Sequence, residues 1–297
     1  METKGNDTTM PMEKGGVSRP HSLGIIYSEE GGLGLAHPFF INILNAFNDE
    51  AQIHGYDITF VNHQVIGQTV SYPEYCRRGG LEGVCLVCVD FGSAEIRNLI
   101  ESDIPCLTVD HIFRHVPAVL SDNETGVQKL VEYAIRQGHR RIAFVHGQNN
   151  SIVTRTRVKQ FCNVMEFNKL PIPTEYVKEG RYNDIGITRR IVRELLSLPE
   201  RPTCILLPDD FCYLGAQDAA HQLDLRIPDD ISFAGYDGIP MMQTIRPQLT
   251  TIRQNMDRIG RTAARRLIEM IEDPAAVRRV PVIFSVELLE GGTLKKI

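Results

Sequence analysis

Short apolar segments alternate with longer amphipathic segments from residue 23 almost to the end of the chain. The apolar run 23–27, for example, precedes a segment from Pro38 in which Phe40, Ile43 and Leu44 recur at helical spacing. Such runs predict buried strands, and such segments predict helices. The predicted strands are 23–27, 57–61, 83–89, 105–109, 141–146, 176–179, 203–207, 231–235 and 282–289. One predicted helix starts at residue 38, and the others cover 94–102, 127–138, 158–168, 185–196, 214–223 and 256–271. The alternation predicts an α/β protein with two doubly wound parallel sheets.

The first residues and the cysteine content bear on the location of the protein. Residues 1–21 are polar and lack periodicity, which predicts a flexible tail or linker remnant. No apolar run approaches the roughly 20 residues of a membrane helix, and Met1–Pro20 lacks the apolar core of a secretory signal. Seven cysteines without such a signal favour the reducing cytoplasm.

The charge balance bears on nucleic-acid binding. The chain has 32 Lys and Arg against 37 Asp and Glu, a net charge of −5. A chain that binds DNA by itself usually carries a basic excess. We therefore expect no specific DNA binding by this chain alone.

Acidic and aromatic residues follow several of the predicted strands. They are His37 after the loop 28–36, Asp90 and Phe91, Asp110 and His111, His146, Asp209 and Asp210, and Tyr236 and Asp237. Ligands of open α/β sheets bind beyond the carboxyl ends of the strands. Carboxylates accept hydrogen bonds from hydroxyl groups and rings cover apolar faces, so these residues suit a ligand with many hydroxyls. The alternative is that the acids cap the helices that follow.

Several catalytic and cofactor motifs are incomplete. Gly32 and Gly34 resemble the start of a dinucleotide fingerprint, but His37 stands where its third glycine belongs. Cys85 and Cys88 have redox spacing, yet on one strand they would point to opposite faces. Serine-hydrolase elbow, zinc-protease and P-loop motifs are missing from the sequence. We expect no cofactor, no metal and no enzymatic activity.

Five segments in order resemble the effector domain of lactose/galactose-repressor-type bacterial regulators. They are 37–40 (HPFF), 55–57 (GYD), 138–144 (GHRRIAF), 227–237 (IPDDISFAGYD) and 247–254 (PQLTTIRQ), and the resemblance covers about residues 22–290. It implies a periplasmic-binding-protein-like fold in which two subdomains, joined by three crossovers, hold a small effector in their cleft. The implied subdomains are 22–120 with 254–281 and 121–253 with 282–297, with crossovers near 120–122, 251–254 and 281–283.

The resemblance also implies effector-binding residues. Arg157 matches the arginine of the family's Arg-x-x-Gly-Phe pattern, with Gln160 in place of the glycine. Asp209 stands where the family has asparagine, and Asp237 matches the family aspartate. A guanidinium fork between carboxylates can clamp vicinal hydroxyls. The predicted effector-binding residues are Arg157, Asp209, Asp237, Phe91, Asp90, His37, Phe211 and His146, with core packing as the alternative for the rings.

The function that the resemblance implies is the sensing of a sugar or sugar-like effector by a cytoplasmic, homodimeric transcriptional regulator. DNA would be reached only through an N-terminal DNA-binding head, for which residues 1–21 are too short. Two alternatives stay open. One is a solute-binding protein of a transporter, which would need an export signal or a lipid-anchor cysteine. The other is a regulator with a purine- or nucleoside-type effector.

Overall fold

The computed structural model describes residues 21–27, 37–62, 70–275 and 279–297. Residues 1–20 of the predicted tail, and the loop 28–36 with its Gly32 and Gly34, lie outside the described residues, whereas His21 begins β1. The strands are β1 His21–Tyr27, β2 Tyr56–Asn62, β3 Gly83–Leu86, β4 Cys106–Val109, β5 Ala118–Ser121, β6 Ile142–His146, β7 Val177–Glu179, β8 Cys204–Leu206, β9 Ser232–Ala234, β10 Thr251–Arg253, β11 Val282–Phe284 and β12 Glu287–Leu289. The α-helices are α1 Pro38–Ile53, α2 Tyr72–Gly79, α3 Ala94–Ile100, α4 Asn123–Arg136, α5 Ile152–Phe167, α6 Ile185–Leu196, α7 Cys212–His221 and α8 Met256–Glu272.

The described strands form two parallel sheets and one short antiparallel ribbon. The first sheet has the order β11-β5-β4-β3-β1-β2, and the second has the order β7-β6-β8-β9. Neighbouring strands within both sheets run parallel, whereas β10 and β12 pair antiparallel. The predicted α/β class with parallel sheets is confirmed.

Each sheet buries apolar side chains under amphipathic helices. In the first half, Phe47 of α1 and Ile259 and Leu267 of α8 are almost fully buried. The two helices approach closely because residue 260 is glycine: a Cβ there would lie 2.2 Å from the carbonyl oxygen of Ile43. In the second half, Phe161 of α5 packs on Phe144 of β6, with ring centroids 5.3 Å apart.

The chain passes three times between the halves. It leaves the first sheet after β5 and returns through β10 to α8, whose Arg265 donates to Glu50 of α1. The predicted third crossover at 281–283 needs correction, because β11 pairs with β5 in the first sheet. We therefore propose subdomains 21–121 with 256–284 and 122–253 with 285–297, the third crossing lying between β11 and β12.

Other predicted elements differ from the structure in detail. Helix α2 was not among the predicted elements, and the predicted strand 282–289 is divided into β11 and β12. The predicted strand 83–89 ends at Leu86, and Cys88 adopts a positive φ of 50°. Cys85 is buried and Cys88 exposed. Among the described helices, none is both long and apolar enough to cross a membrane.

Candidate functional site

A cavity of about 440 Å³ lies between the two parallel sheets. Its walls combine charged, aromatic and amide side chains from both halves of the molecule and from the end of β10. They include His37, Asp90, Phe91, Asp110 and His111 on one side, Ser151, Arg157, Arg181, Tyr182 and Asp237 on the other, and Gln254 between them. A pocket of this size and mixed lining suits a small polar ligand.

Arg157 of α5 is the buried cation of this cavity. Its side chain is fixed by two hydrogen bonds, from Nε to Asn123 Oδ1 at 2.8 Å and from Nη1 to the Pro208 carbonyl oxygen at 3.2 Å. Its Cζ lies 3.6 Å from the centre of the Tyr236 ring, at cation–π distance. Burial opposes the charge, but the surrounding phenols and carboxylates hold the pKa of Arg157 above its ordinary value. Arg157 is therefore a fixed positive charge in a preformed position.

Asp237 follows β9 in a turn that glycine would favour. Its φ is 116°, and the next residue, Gly238, has φ 72°. Gln254 Nε2 donates to Asp237 Oδ1 at 2.7 Å. Burial raises the pKa of Asp237 well above its ordinary value, while Arg157 opposes the rise. A hydrogen-bond donor or a cation placed beside Asp237 by a ligand would favour the ionised form of this carboxyl.

Two acceptor atoms in the cavity walls have no partner among the described residues. They are Asp110 Oδ1, beyond β4, and Gln254 Oε1. Burial raises the pKa of Asp110 to about 6, and Arg157 opposes that rise. Buried oxygens without donors cost free energy.

Aromatic rings form a flat platform on the first-half side of the cavity. Phe91 and His111 stack with centroids 4.1 Å apart and planes inclined by only 9°. Phe113 supports His111 at 4.6 Å. Burial lowers the pKa of His111 and Arg155 lowers it further, which favours the neutral ring at pH 7. The platform can cover the apolar face of a ligand ring.

His37 contributes to the site mainly through local structure. It is the N-cap of α1, where its Nδ1 accepts from the Phe39 N–H at 3.2 Å. Burial lowers the pKa of His37, with Asp209 opposing and Arg157 adding to the effect. Since Nδ1 accepts, Nε2 of the neutral imidazole carries the proton and is a donor. His37 lies in the cavity wall.

Comparison with known proteins relates this architecture to a family. The family model described as "Periplasmic binding protein-like domain" matches residues 131–294. The chain belongs to this family. A probable HTH-type transcriptional repressor ExuR of Bacillus subtilis (strain 168) is 26% identical over 262 residues, 87% of this chain and 76% of that protein. The HTH-type transcriptional repressor PurR of Vibrio vulnificus (strain CMCP6) is 28% identical over 264 residues, 87% and 78% of the two chains.

Solved structures of LacI-family regulators share the fold of this chain. A regulatory protein of the LacI family from Chloroflexus aggregans superposes with a TM-score of 0.79 at 25% identity, covering 92% of this chain and 98% of that one. A LacI family transcriptional regulator from Enterococcus faecium, solved with bound ribose, gives 0.80 at 21% identity over 93% and 99%. The resemblance to an effector domain of LacI-type regulators is confirmed.

The structure brings five of the predicted site residues to the cavity. Those five are His37, Asp90, Phe91, Arg157 and Asp237. They share one location because they follow the carboxyl ends of strands or, for Arg157, lie on a helix that faces the cleft. Their contact with an effector stays a prediction.

Three predicted site residues lie outside the cavity lining. Asp209 is turned away from the cavity to accept from the Asn183 and Cys212 amides. His146 is buried and bonds the Gly147 carbonyl oxygen at 2.7 Å. Phe211 is the N-cap residue of α7 and packs against the core of the domain. Asp209 thus follows the helix-cap alternative, and Phe211 follows the core-packing alternative. Asp209 only accepts hydrogen bonds from these two amides.

Several residues of the lining are not among the predicted site residues, including Asp110, His111, Tyr182 and Gln254. Asp110 and His111 follow the predicted strand 105–109, and Gln254 ends the segment 247–254. Tyr182 had no sequence signal. It lies beyond β7, where its hydroxyl bonds Thr154 Oγ1 at 2.9 Å, and a Cβ at Gly147 would lie 2.1 Å from its ring.

Proposed function

We propose that this domain senses a small sugar or sugar-like effector for a transcriptional regulator, with the effector held in the cavity between the two sheets. The observation that carries this proposal is the arrangement around Arg157. A fixed guanidinium and the carboxyl of Asp237 line the same cavity as two acceptors that lack donors, Asp110 Oδ1 and Gln254 Oε1. Vicinal hydroxyls both donate and accept hydrogen bonds, so a polyhydroxylated ligand can bond to the guanidinium and to the Asp237 carboxyl together.

The relatives support the regulatory part of the proposal. Those described above are transcriptional repressors, which are not enzymes. A protein of the same fold was solved with bound ribose, which supports a sugar-sized effector. The cavity of about 440 Å³ leaves room for a monosaccharide with ordered water.

A second candidate is a flat heterocyclic effector such as a purine. The Phe91–His111 stack favours it, because a base can lie parallel to a flat aromatic platform. The carboxyl of Asp110 could then accept from an exocyclic amine. The two candidates differ in which wall of the cavity supplies most of the affinity.

A thermal-shift screen separates these candidates. D-ribose, cellobiose, D-glucuronate, hypoxanthine and guanine are each added to the protein, since a ligand at about 100 times its Kd stabilises the folded state by roughly 2.7 kcal/mol. We expect a rise in Tm with at least one sugar and none in the Arg157→Ala variant. A rise with the bases alone would favour the second candidate. Failure of an extended sugar panel to change Tm, with the protein folded, would contradict the first.

We also propose that the regulator forms a homodimer and contacts DNA through a DNA-binding domain outside the described fold. The family relationship supports this assembly, and the net charge of −5 supports DNA contact by another domain. Sedimentation at micromolar concentration tests the dimer. A mobility shift with this chain tests the DNA expectation, and specific binding by this chain alone would contradict it.

A further inference from the structure

Asp210 lies behind the effector cavity and outside its lining. It is fully buried in the segment between β8 and α7. Its Oδ2 accepts from the Ile239 N–H at 2.7 Å, and the Gly238 N–H also donates to this carboxyl. Its Oδ1 accepts from Thr251 Oγ1 of β10. One carboxyl group therefore joins the turn that carries Asp237 to the crossover strand.

The turn at Asp237 needs this support. Positive φ values are unfavourable for an aspartate and persist only where surrounding contacts hold them. Asp237 adopts φ 116°, and the bonds to Asp210 are made by the two residues that follow it. The backbone of Asp237 itself is bonded to β10, because its N–H donates to the Ile252 carbonyl oxygen at 2.8 Å. The Asp237 turn is thus held by bonds to Asp210 and to β10.

The packing around Asp210 leaves little freedom. A Cβ at Gly235 would lie 2.4 Å from Asp210 Oδ1, so only glycine allows the carboxyl to reach the turn. Thr251, the donor from β10, is itself fully buried. Gln254, three residues later on the same crossover, donates to Asp237 directly. Movement of β10 would therefore reach Asp237 by two routes, one through Gln254 and one through Thr251 and Asp210.

We propose that Asp210 is a positioning residue for effector binding: it holds the Asp237 turn in its binding orientation and couples that turn to the β10 crossover through Thr251. This inference rests on the proposed function for its consequence in binding. Its structural part concerns the ligand-free protein and can be measured there.

The test compares variants of nearly the same shape. Asp210→Leu keeps the branched shape without an acceptor, whereas Asp210→Asn keeps one oxygen that can accept from both amides. Glu50→Gln is the control, because Glu50 is also a buried acid but pairs with Arg265 between α1 and α8. Amide hydrogen exchange over residues 237–254 is measured without ligand, and affinity for D-ribose, cellobiose and hypoxanthine is measured by calorimetry.

We expect Asp210→Leu to speed exchange of the 238 and 239 amides by about tenfold beyond its effect on global opening, and Asp210→Asn to stay within about threefold of the wild type. Any probe that binds the wild type should bind Asp210→Leu at least about tenfold more weakly, with Asp210→Asn restoring most of the affinity. Equal local exchange in Asp210→Leu and Glu50→Gln, after correction for global opening, would overturn the inference. So would an Asp210→Asn variant that behaves like Asp210→Leu.

Two further outcomes are kept apart by the design. If Asp210→Leu fails to fold, Thr251→Val removes one donor with little change of shape, and local exchange at 237–239 must rise for the inference to stand. If none of the probes binds the wild-type protein, the proposed effector class is contradicted, while the exchange data still decide the role of Asp210.

Discussion

The guanidinium carbon of Arg157 lies 3.6 Å from the centre of the Tyr236 ring. The ring is buried, and Tyr236 precedes Asp237, so the residue that stacks on the buried cation is joined directly to the acid that faces the same cavity. The ring thus supports both the position of the guanidinium and the start of the Asp237 turn. Binding affinity should therefore depend on groups that position these residues as well as on groups that touch the effector.

Replacement of Gly126 by alanine should displace Tyr236. A Cβ at residue 126 would lie 2.1 Å from Tyr236 Oη, far inside van der Waals distance, and Val286 leaves no free space beside it. Such overpacking costs about 1–3 kcal/mol of folding free energy. We expect a lower Tm and weaker effector binding. Gly79→Ala is the control, since its new Cβ would make only an ordinary contact, 3.7 Å from Leu81. Equal affinity in both variants would contradict this prediction.

Arg157→Lys should weaken effector binding although it keeps the positive charge. Lysine lacks the planar fork that bonds Asn123 and the Pro208 carbonyl while stacking on Tyr236. A hydrogen bond to a charged group contributes about 1.5–3 kcal/mol, so we expect a loss of binding free energy of that order. Calorimetry against the ligand found in the screen measures the loss. Lys159→Ala, on an exposed position of the same helix, should bind as the wild type does.

The sequence predicts the fold because each sheet buries nearly continuous apolar runs. Strands such as β1 and β6 are buried along almost their whole length, so their hydrophobic runs are unmistakable. Helix α2 is harder to predict, because it has only eight residues and ends at a glycine with φ 69°. The end of β3 is set by the backbone of Cys88 at φ 50°, which an apolar run does not encode.

The candidate site is predictable only in part. Strand ends identify Asp90, Phe91 and Asp237, which line the cavity. The same rule selects Asp209 and His146, and it cannot tell a side chain aimed at the cavity from one that bonds neighbouring backbone. Backbone bonding of this kind is decided by tertiary structure. Tyr182 is also placed by tertiary structure. It is a loop residue that reaches the site through its contacts with Thr154 and Gly147.

Variants of His111 should show which wall of the cavity supplies affinity. His111→Leu removes the flat surface that stacks on Phe91, whereas His111→Phe keeps it. We expect His111→Leu to lose about 0.5–1.5 kcal/mol of binding free energy, the range of an aromatic pair, and His111→Phe to lose less. Competition calorimetry with the screened ligand measures both. Equal losses would indicate a polar contact to the imidazole instead of a contribution from the ring face.

The stability of the domain should fall as pH rises through the neutral range because of Asp210. Burial raises the pKa of this carboxyl from 3.8 to about 8, and the neighbouring Asp209 adds to the rise. Between these two values the folded protein keeps the proton and the unfolded chain releases it. The unfolded state then binds fewer protons, so the free energy of unfolding decreases as pH rises from about 4 to about 8. Because the side chain of Asp210→Asn cannot ionise, this variant should not show the decrease in the free energy of unfolding that Asp210 causes.

The difference in Tm between Asp210→Asn and the wild type isolates this effect, since Asp110, Asp237 and the histidines titrate in both proteins. We expect the difference to grow in favour of the variant as pH is raised from about 4.5 to about 8.5, followed by scanning calorimetry. Asp230→Asn is the matched control. Its hydrogen bonds with Arg226 lower the pKa of Asp230 to about 2. The stability that ionised Asp230 contributes is therefore fully present above about pH 4, and the Tm difference for Asp230→Asn should stay constant over the same window. A difference for Asp210→Asn that is equally constant would show that Asp210 ionises in its ordinary range, with the proton already lost in the folded protein at neutral pH.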